Sequence, residues 1–189
     1  MNKQYYVIFV FLTIIAGGAL VAVFHQPSDA KRVNADTPTT AVKGQEDQRD
    51  QKEVHLYFTD GESTYLRTEV RRLLYSTDPV IFGKRIIEAL INGPHDKLVG
   101  AVPKETVVRA LYVTPDKIAY LDLSHMIQKM HPGGTRLELI TIFSMVNSLV
   151  LNMPEIDAVK IVIQGREADT MAGHVDLRQP FKANMLMIR

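Results

Sequence analysis

Few side chains of this sequence stand at spacings that suggest chemistry. His174 and Asp176 flank Val175, so on an extended strand they would share one face. An imidazole beside a carboxylate can serve as a base with its orienting partner. The same pair can fix a loop through a structural hydrogen bond. Catalysis needs further placed groups, above all a nucleophile, and none is identifiable beside the pair. Asp169 is the other acid that such a site would draw on. Six histidines are present, and none has a metal-ligand spacing; His125 and His131 lie six positions apart without a carboxylate cluster beside them. Gly133-Gly134-Thr135 precedes a helix start, where free N–H groups can hold an anion. No Gly-Lys-Ser/Thr follows, so this is no P-loop, and a helix entry with an N-cap explains it. Asn147 stands in mid-helix at some cost in propensity, which points to a bond across to a neighbouring element or to an interface. The sequence implies no catalytic residue, no metal and no cofactor.

Cysteine is absent, which excludes disulfides, thiolate metal sites, a Cys nucleophile and a lipid-modified N-terminal Cys. The formal net charge is +1, and basic and acidic residues balance from Glu53 onward. A neutral domain without a basic stripe argues against nucleic-acid binding. Lys84-Arg85 and Arg71-Arg72 read as short solvated pairs.

The elements that must position these groups centre on Thr135 to Gly165. Leu139, Ile142, Phe143, Val146, Leu149, Val150 and Met153 recur at helical spacing, and Pro154 ends the run. Thr135 with Glu138 has capping-box spacing. The opposite side is small and polar: Thr141, Ser144, Ser148 and Asn152. So wide an apolar stripe predicts a helix lying deep against a sheet. Val159, Ile161 and Ile163 then alternate as a strand, and Gly165 permits the turn after it. Upstream, Val54, Leu56 and Phe58 predict a strand, and Asp60-Gly61 a turn. Tyr65 to Tyr75 fits helix or strand. Asp78-Pro79 opens a helix that Gly93-Pro94 ends. Val107–Val113 and Ile118–Leu121 flank the turn Thr114-Pro115-Asp116-Lys117. His125 to Gly134 reads as irregular. Met171–Leu177 reads as extended, and Asn184–Arg189 as a short edge strand. The order predicts an α+β fold, with one mostly antiparallel sheet and two main helices packed on it.

Ahead of this domain, residues 1–4 form a short tail. Tyr5 to Phe24 carries no charge, and its 20 residues would span about 30 Å as a helix, the thickness of a bilayer core. It reads as a single-pass anchor; a cleaved signal peptide is the alternative, although Val33-Asn34-Ala35 lies far from the apolar run. Lys3 precedes the span, and Lys31, Arg32 and Lys43 follow it, so charge does not favour export. Residues 25–52 are polar and charged, too poor in apolar area to fold, and read as a flexible linker reaching about 30 Å. The globular domain is placed at 53–189.

Together, His55-Leu56-Tyr57-Phe58, Glu88-Ala89-Leu90-Ile91-Asn92-Gly93-Pro94, Ser144-Met145-Val146-Asn147-Ser148-Leu149, Val159 to Gly165 and Ala172-Gly173-His174-Val175-Asp176 resemble the GerMN domain of sporulation and spore-germination proteins. The resemblance covers about Glu53 to Pro180. It implies a small α/β domain similar in shape to ring-building domains, usually extracytoplasmic and tethered to a membrane. It also implies a non-catalytic interaction module with a protein partner or a second copy of itself. On this reading Asn147, Gly165, Gly173, His174 and Asp176 are structural or interaction residues. The chain departs from the spore-protein pattern in having one domain copy and no lipobox cysteine. The alternative function is a small-ligand-binding or hydrolytic domain using His174 and Asp176.

Overall fold

Ordered pairing begins earlier than composition predicts, because Gln51 and Lys52 pair with Leu74 and Leu73 in a hairpin. The computed structural model describes residues 50–62 and 64–189; the apolar run Tyr5–Phe24 and the linker up to residue 49 lie outside the described residues. Strand β1 (Gln51–Thr59) pairs antiparallel with β2 (Leu66–Leu74), from Gln51 opposite Leu74 to Thr59 opposite Leu66. Lys52 Nζ lies 5.5 and 5.4 Å from the Tyr75 and Phe82 ring centres, where the ring quadrupoles attract a cation. The strand expected from Val54 thus extends back to Gln51, and the Asp50 carbonyl accepts from Tyr75 N–H at 2.5 Å. The run after Tyr65, ambiguous by composition and read as strand from the family resemblance, is strand.

Helix α1 (Pro79–Ile91) forms as its punctuation predicts. The Asp78 carboxylate accepts from Val80 N–H at 2.8 Å, Pro79 opens the helix, and Gly93 closes it at φ 90°. Strands β3 (Val108–Val113) and β4 (Ile118–Leu123) follow as a hairpin with a bulge between Val108 and Ala110. One short turn of helix, α2 (Met126–Lys129), lies within the stretch read as irregular. Helix α3 (Thr135–Val150) and strand β5 (Ala158–Ile163) complete the frame, and Met185–Met187 form a 3-10 turn.

The α+β class holds, with α1 and α3 as the main helices. The single sheet expected from the sequence is replaced by two: β1–β2, and a three-stranded sheet ordered β3-β4-β5. Within the second sheet, β4 and β5 run parallel. Parallel neighbours cannot be joined by a tight hairpin, and the chain uses α2 and α3 as the crossover. The core is formed by Val54, Leu56 and Phe58 of β1, Ile86 and Leu90 of α1, Leu121 and Leu123 of β4, Val146 and Leu149 of α3, and Ile161 of β5, all buried. At Gly83 a Cβ would stand 2.6 Å from Leu111 Cδ2, so a larger residue there would push the Leu111 side chain aside.

The C-terminal stretch is held by isolated contacts. Phe181 bridges Val159 of β5, and Arg189 N–H reaches the Leu66 carbonyl of β2. Residues 171–177 are a looped segment, and the edge strand expected at Asn184–Arg189 is reduced to the 3-10 turn and one bridge from Ile188 to Leu66.

Candidate functional site

The polar stripe of α3 is buried along its whole length, because it faces the unpaired side of β1. Ser144 Oγ donates to the Tyr57 carbonyl at 2.5 Å, and Ser148 Oγ accepts from Tyr57 N–H at 3.1 Å. Asn152 Oδ1 accepts from His55 N–H at 2.8 Å while its Nδ2 donates to the His55 carbonyl at 2.7 Å. Residues four apart on a helix lie on one face, and here that face supplies hydrogen bonds that a neighbouring strand would otherwise make. At Thr59 the backbone of Val99 takes over, with bonds of 3.0 and 2.9 Å.

Glu138 is fully buried and does not close a capping box. The helix N-cap is Gly134, without a side-chain bond, so the expected Thr135 cap is absent. The Glu138 carboxylate instead accepts from the backbone N–H groups of Met171 (2.9 Å), Ala172 (2.8 Å) and His174 (3.0 Å). Burial alone would push its carboxyl up; backbone N–H donors from Ala172, His174, Val175 and Met171 outweigh that and hold it below the usual range. His174 Nδ1 lies 3.4 Å from Glu138, and the ring is about half exposed.

Asp176 does not pair with His174. It forms an exposed ion pair with Arg178, bonding both Arg178 Nε and Nη2, and the Arg178 hydrogen bonds lower its carboxyl to about 2. The shared strand face expected for the two residues is not formed, because Gly173 takes φ 98° and the segment loops. Asp169 is exposed, and its backbone carbonyl accepts from Leu177 N–H. Gly165 stands at φ 72° in the tight turn joining Ile163 to Arg166, and its N–H donates to Asp122 Oδ1 at 2.8 Å.

Asn147 holds the C-terminal stretch. Its Nδ2 donates to the Asn184 carbonyl at 3.1 Å and its Oδ1 accepts from Asn184 N–H at 2.9 Å, both from a fully buried side chain. His131 caps the stripe at its N-terminal end. Gly133 N–H donates to Nδ1, which leaves Nε2 as donor to Thr141 Oγ1 at 3.1 Å, and the hydroxyl passes its proton on to the Ala101 carbonyl at 2.7 Å. Burial pushes this imidazole below its ordinary range.

Sequence reasoning missed the second buried carboxylate, Glu69, and the burial of Arg71, read as part of a solvated pair. Arg71 forms an ion pair with Glu69 and donates to the carbonyls of Ala89 (3.2 Å) and Gly93 (2.6 Å) at the end of α1. Glu69 also accepts from His95 N–H and Asp96 N–H. Burial favours its neutral form, but Arg71 and these N–H groups prevail and lower it. The signal was available in the alternation of β2, which puts Glu69 and Arg71 on the same face as the half-buried Leu73. A cleft of about 700 Å3 lies between residues 93–105 and 130–141, walled by Leu98, Val99, Met130, Leu137 and Ile140. Among the described residues no group of three or more His, Asp or Glu side chains could hold a metal.

Comparison with known proteins decides the family. A family model described as Germane, sporulation and spore germination, matches residues 55–169, more than half of the chain. The chain belongs to the Germane (GerMN) family. No curated protein matches it. Among solved structures, this GerMN chain resembles a protein described as a lipoprotein from Clostridium perfringens, at 25% identity and a TM-score of 0.51, covering 72% of this chain and 90% of that one. It also resembles the first GerMN domain of the sporulation protein GerM from Bacillus subtilis, at 20% identity and a TM-score of 0.56, covering 70% and 97%. Against the tandem GerMN domains of the same protein it is 18% identical with a TM-score of 0.55, and spans 46% of that chain. The GerMN match ends before His174 and Asp176, and it contains the α3 stripe, Glu138 and Asn147.

Proposed function

We infer that this chain is a membrane-tethered, extracytoplasmic interaction module of the cell envelope, and that it does not catalyse a reaction. The observation that carries this reading is how the buried polar groups are used. Glu138, Asn147, Ser144, Ser148, Asn152, Glu69 and Arg71 are each bound to main-chain atoms, so they hold loops and edges in place. A catalytic group needs a free lone pair or proton directed at substrate. His174 and Asp176, the pair an enzyme would use, point to separate partners. The uncharged run Tyr5–Phe24 supports the tether, and the similarity to a protein described as a lipoprotein supports an envelope location. Among the described residues no helix is long and apolar enough to cross a membrane.

The test combines fractionation with crosslinking. The full chain should sediment with membranes, and a C-terminal reporter should be active outside the cytoplasm; cytoplasmic activity would overturn the location. In-cell photocrosslinking from exposed positions should trap protein partners at defined sites. His174→Ala and Asp176→Asn should remain functional in complementation. Folded variants that lose complementation while keeping their crosslinks would replace the interaction module with a ligand or catalytic site.

A further inference from the structure

The sheet edges of this fold are treated unequally. The free side of β1 is covered by α3 and Val99. The free side of β5 is met by Phe181, whose N–H and carbonyl each bond Val159 at 2.8 Å. The free side of β2 is pinned at both ends, by Arg189 N–H on the Leu66 carbonyl and by Arg85 on the Leu74 carbonyl, and it carries exposed Arg67 and Arg72 between them. Charged side chains of this kind discourage edge pairing. Strand β3 has β4 on one side only. Thr114 N–H bonds the Ile118 carbonyl, so by antiparallel alternation Tyr112 bonds to Tyr120, and Leu111 and Val113 direct their N–H and carbonyl groups outward. Among the described residues nothing outside the sheet bonds those four groups. Ala110-Leu111-Tyr112-Val113 is uncharged.

We propose that the outer edge of β3 pairs with the β3 edge of a second copy of this chain, antiparallel, about a two-fold axis at Tyr112. This names the partner for the interaction reading above and rests on it. The register is self-complementary. Leu111 of each copy meets Val113 of the other in a hydrogen-bonded pair, giving four main-chain bonds, and Tyr112 meets its own copy in the closer non-hydrogen-bonded pair. Tyr112 is 60% exposed and Tyr120 38%, and they are cross-strand partners. The axis therefore extends them into one row of four tyrosines on the solvent face, a favourable cross-strand combination. Arg109, at the bulge, is held by Asp122 of its own chain at 3.1 Å and stands outside the paired stretch. A two-fold, isologous contact is the commonest closed assembly. An edge this short forms a weak pair, so the test traps it covalently.

The chain has no cysteine, so a single introduced thiol can form only an intermolecular disulfide. The full-length chain is oxidised with copper phenanthroline as Tyr112→Cys, as Val70→Cys on the β2 hairpin (52% exposed), or as Leu186→Cys (87% exposed). Cα atoms of a non-hydrogen-bonded antiparallel pair lie within disulfide reach. Tyr112→Cys should dimerise at least tenfold faster than either control. A rate no greater than that of the more exposed Leu186→Cys overturns the proposal, and a faster Val70→Cys assigns the contact to β2 instead. Tyr112→Lys, which sets like charges across the axis on an exposed side chain, should lower the dimer fraction at least fivefold in sedimentation of the otherwise unchanged chain. An unchanged fraction also overturns the proposal. If these tests fail while photocrosslinks to other proteins persist, the interaction reading stands and only the second copy is removed as the partner.

Discussion

Strands β1 and β3 are both outermost in their sheets, and their unpaired sides have opposite surroundings. Beside β1, helix α3 presents Ser144 and Ser148, Asn152 just past its end continues the interval of four, and their side chains bond the main chain of Tyr57 and His55. Beside β3, helix α1 packs its apolar side and Gly83 against Leu111, and among the described residues no bond reaches the outward main-chain groups of Leu111 and Val113. Both helices are largely apolar where they touch the core. The few hydroxyl and amide groups on α3 make the difference: a helix seals a strand edge only when it brings donors and acceptors to it.

The comparison can be broken or sharpened by substitution. Val146→Asp should abolish it, since a charge in the centre of the α3 core side costs several kcal/mol, comparable to the stability of a whole domain. The expected result is loss of a cooperative thermal transition. Asn152→Leu strands the N–H and carbonyl of His55 and should cost about 2–4 kcal/mol. In hydrogen exchange the His55 amide should lose protection while the amides of β4 and β5 keep theirs. Ser144→Ala removes one bond to Tyr57 and should cost about 1 kcal/mol by denaturant titration.

Acid should act at the entry and first turn of α3 instead. The ladder of hydroxyls and an amide does not titrate, whereas His131 and Glu138 do. His131 lies below its ordinary 6.5 in the folded state, so the unfolded chain binds more protons there and stability falls as pH drops below about 6.5. Glu138 lies below 4.5 when folded, so its contribution is present above that value and is lost as pH falls further. His131→Gln should remove the first phase and leave the second, as followed by melting temperature against pH. The smallest effect is expected at β3: Tyr112→Ser should change stability by less than about 0.5 kcal/mol, as is usual for an exposed site. In dilute protein the amides of Leu111 and Val113 should exchange quickly, in contrast to those of His55 and Tyr57.

Much of the frame was legible because its signals are local. Asp78-Pro79 and Gly93-Pro94 bracket α1, the apolar run from Leu139 predicts α3, and Thr114-Pro115-Asp116-Lys117 marks the β3–β4 turn. The pairing of β4 with β5 was not legible, since parallel neighbours are specified by packing across the intervening helices. The separation of β1–β2 into its own sheet was hidden for the same reason. At the site, spacing suggested a His174–Asp176 pair on a strand, but Gly173 bends the segment and Arg178, two positions from Asp176, takes its carboxylate. Glu138 matched a capping box, and the loop at Met171–His174 offered it three stronger donors. The polar stripe of α3 was visible as a pattern. Its role was not, because nothing local states which strand it will face.

The sealing of β1 also has a time order. The bonds between α3 and β1 join residues 87 to 97 positions apart, whereas β1 and β2 are adjacent in sequence and can pair as soon as Leu74 has been made. At a synthesis rate of about 5–20 residues per second, roughly 4–16 s pass before Ser144 and Asn152 exist. During that interval the hairpin has an unsealed side, and any extended segment nearby can compete for it. The late half of the chain thus acts as the chaperone of the early half, and a pause in translation between Leu74 and Ser144 prolongs the period in which the nascent chain can mispair.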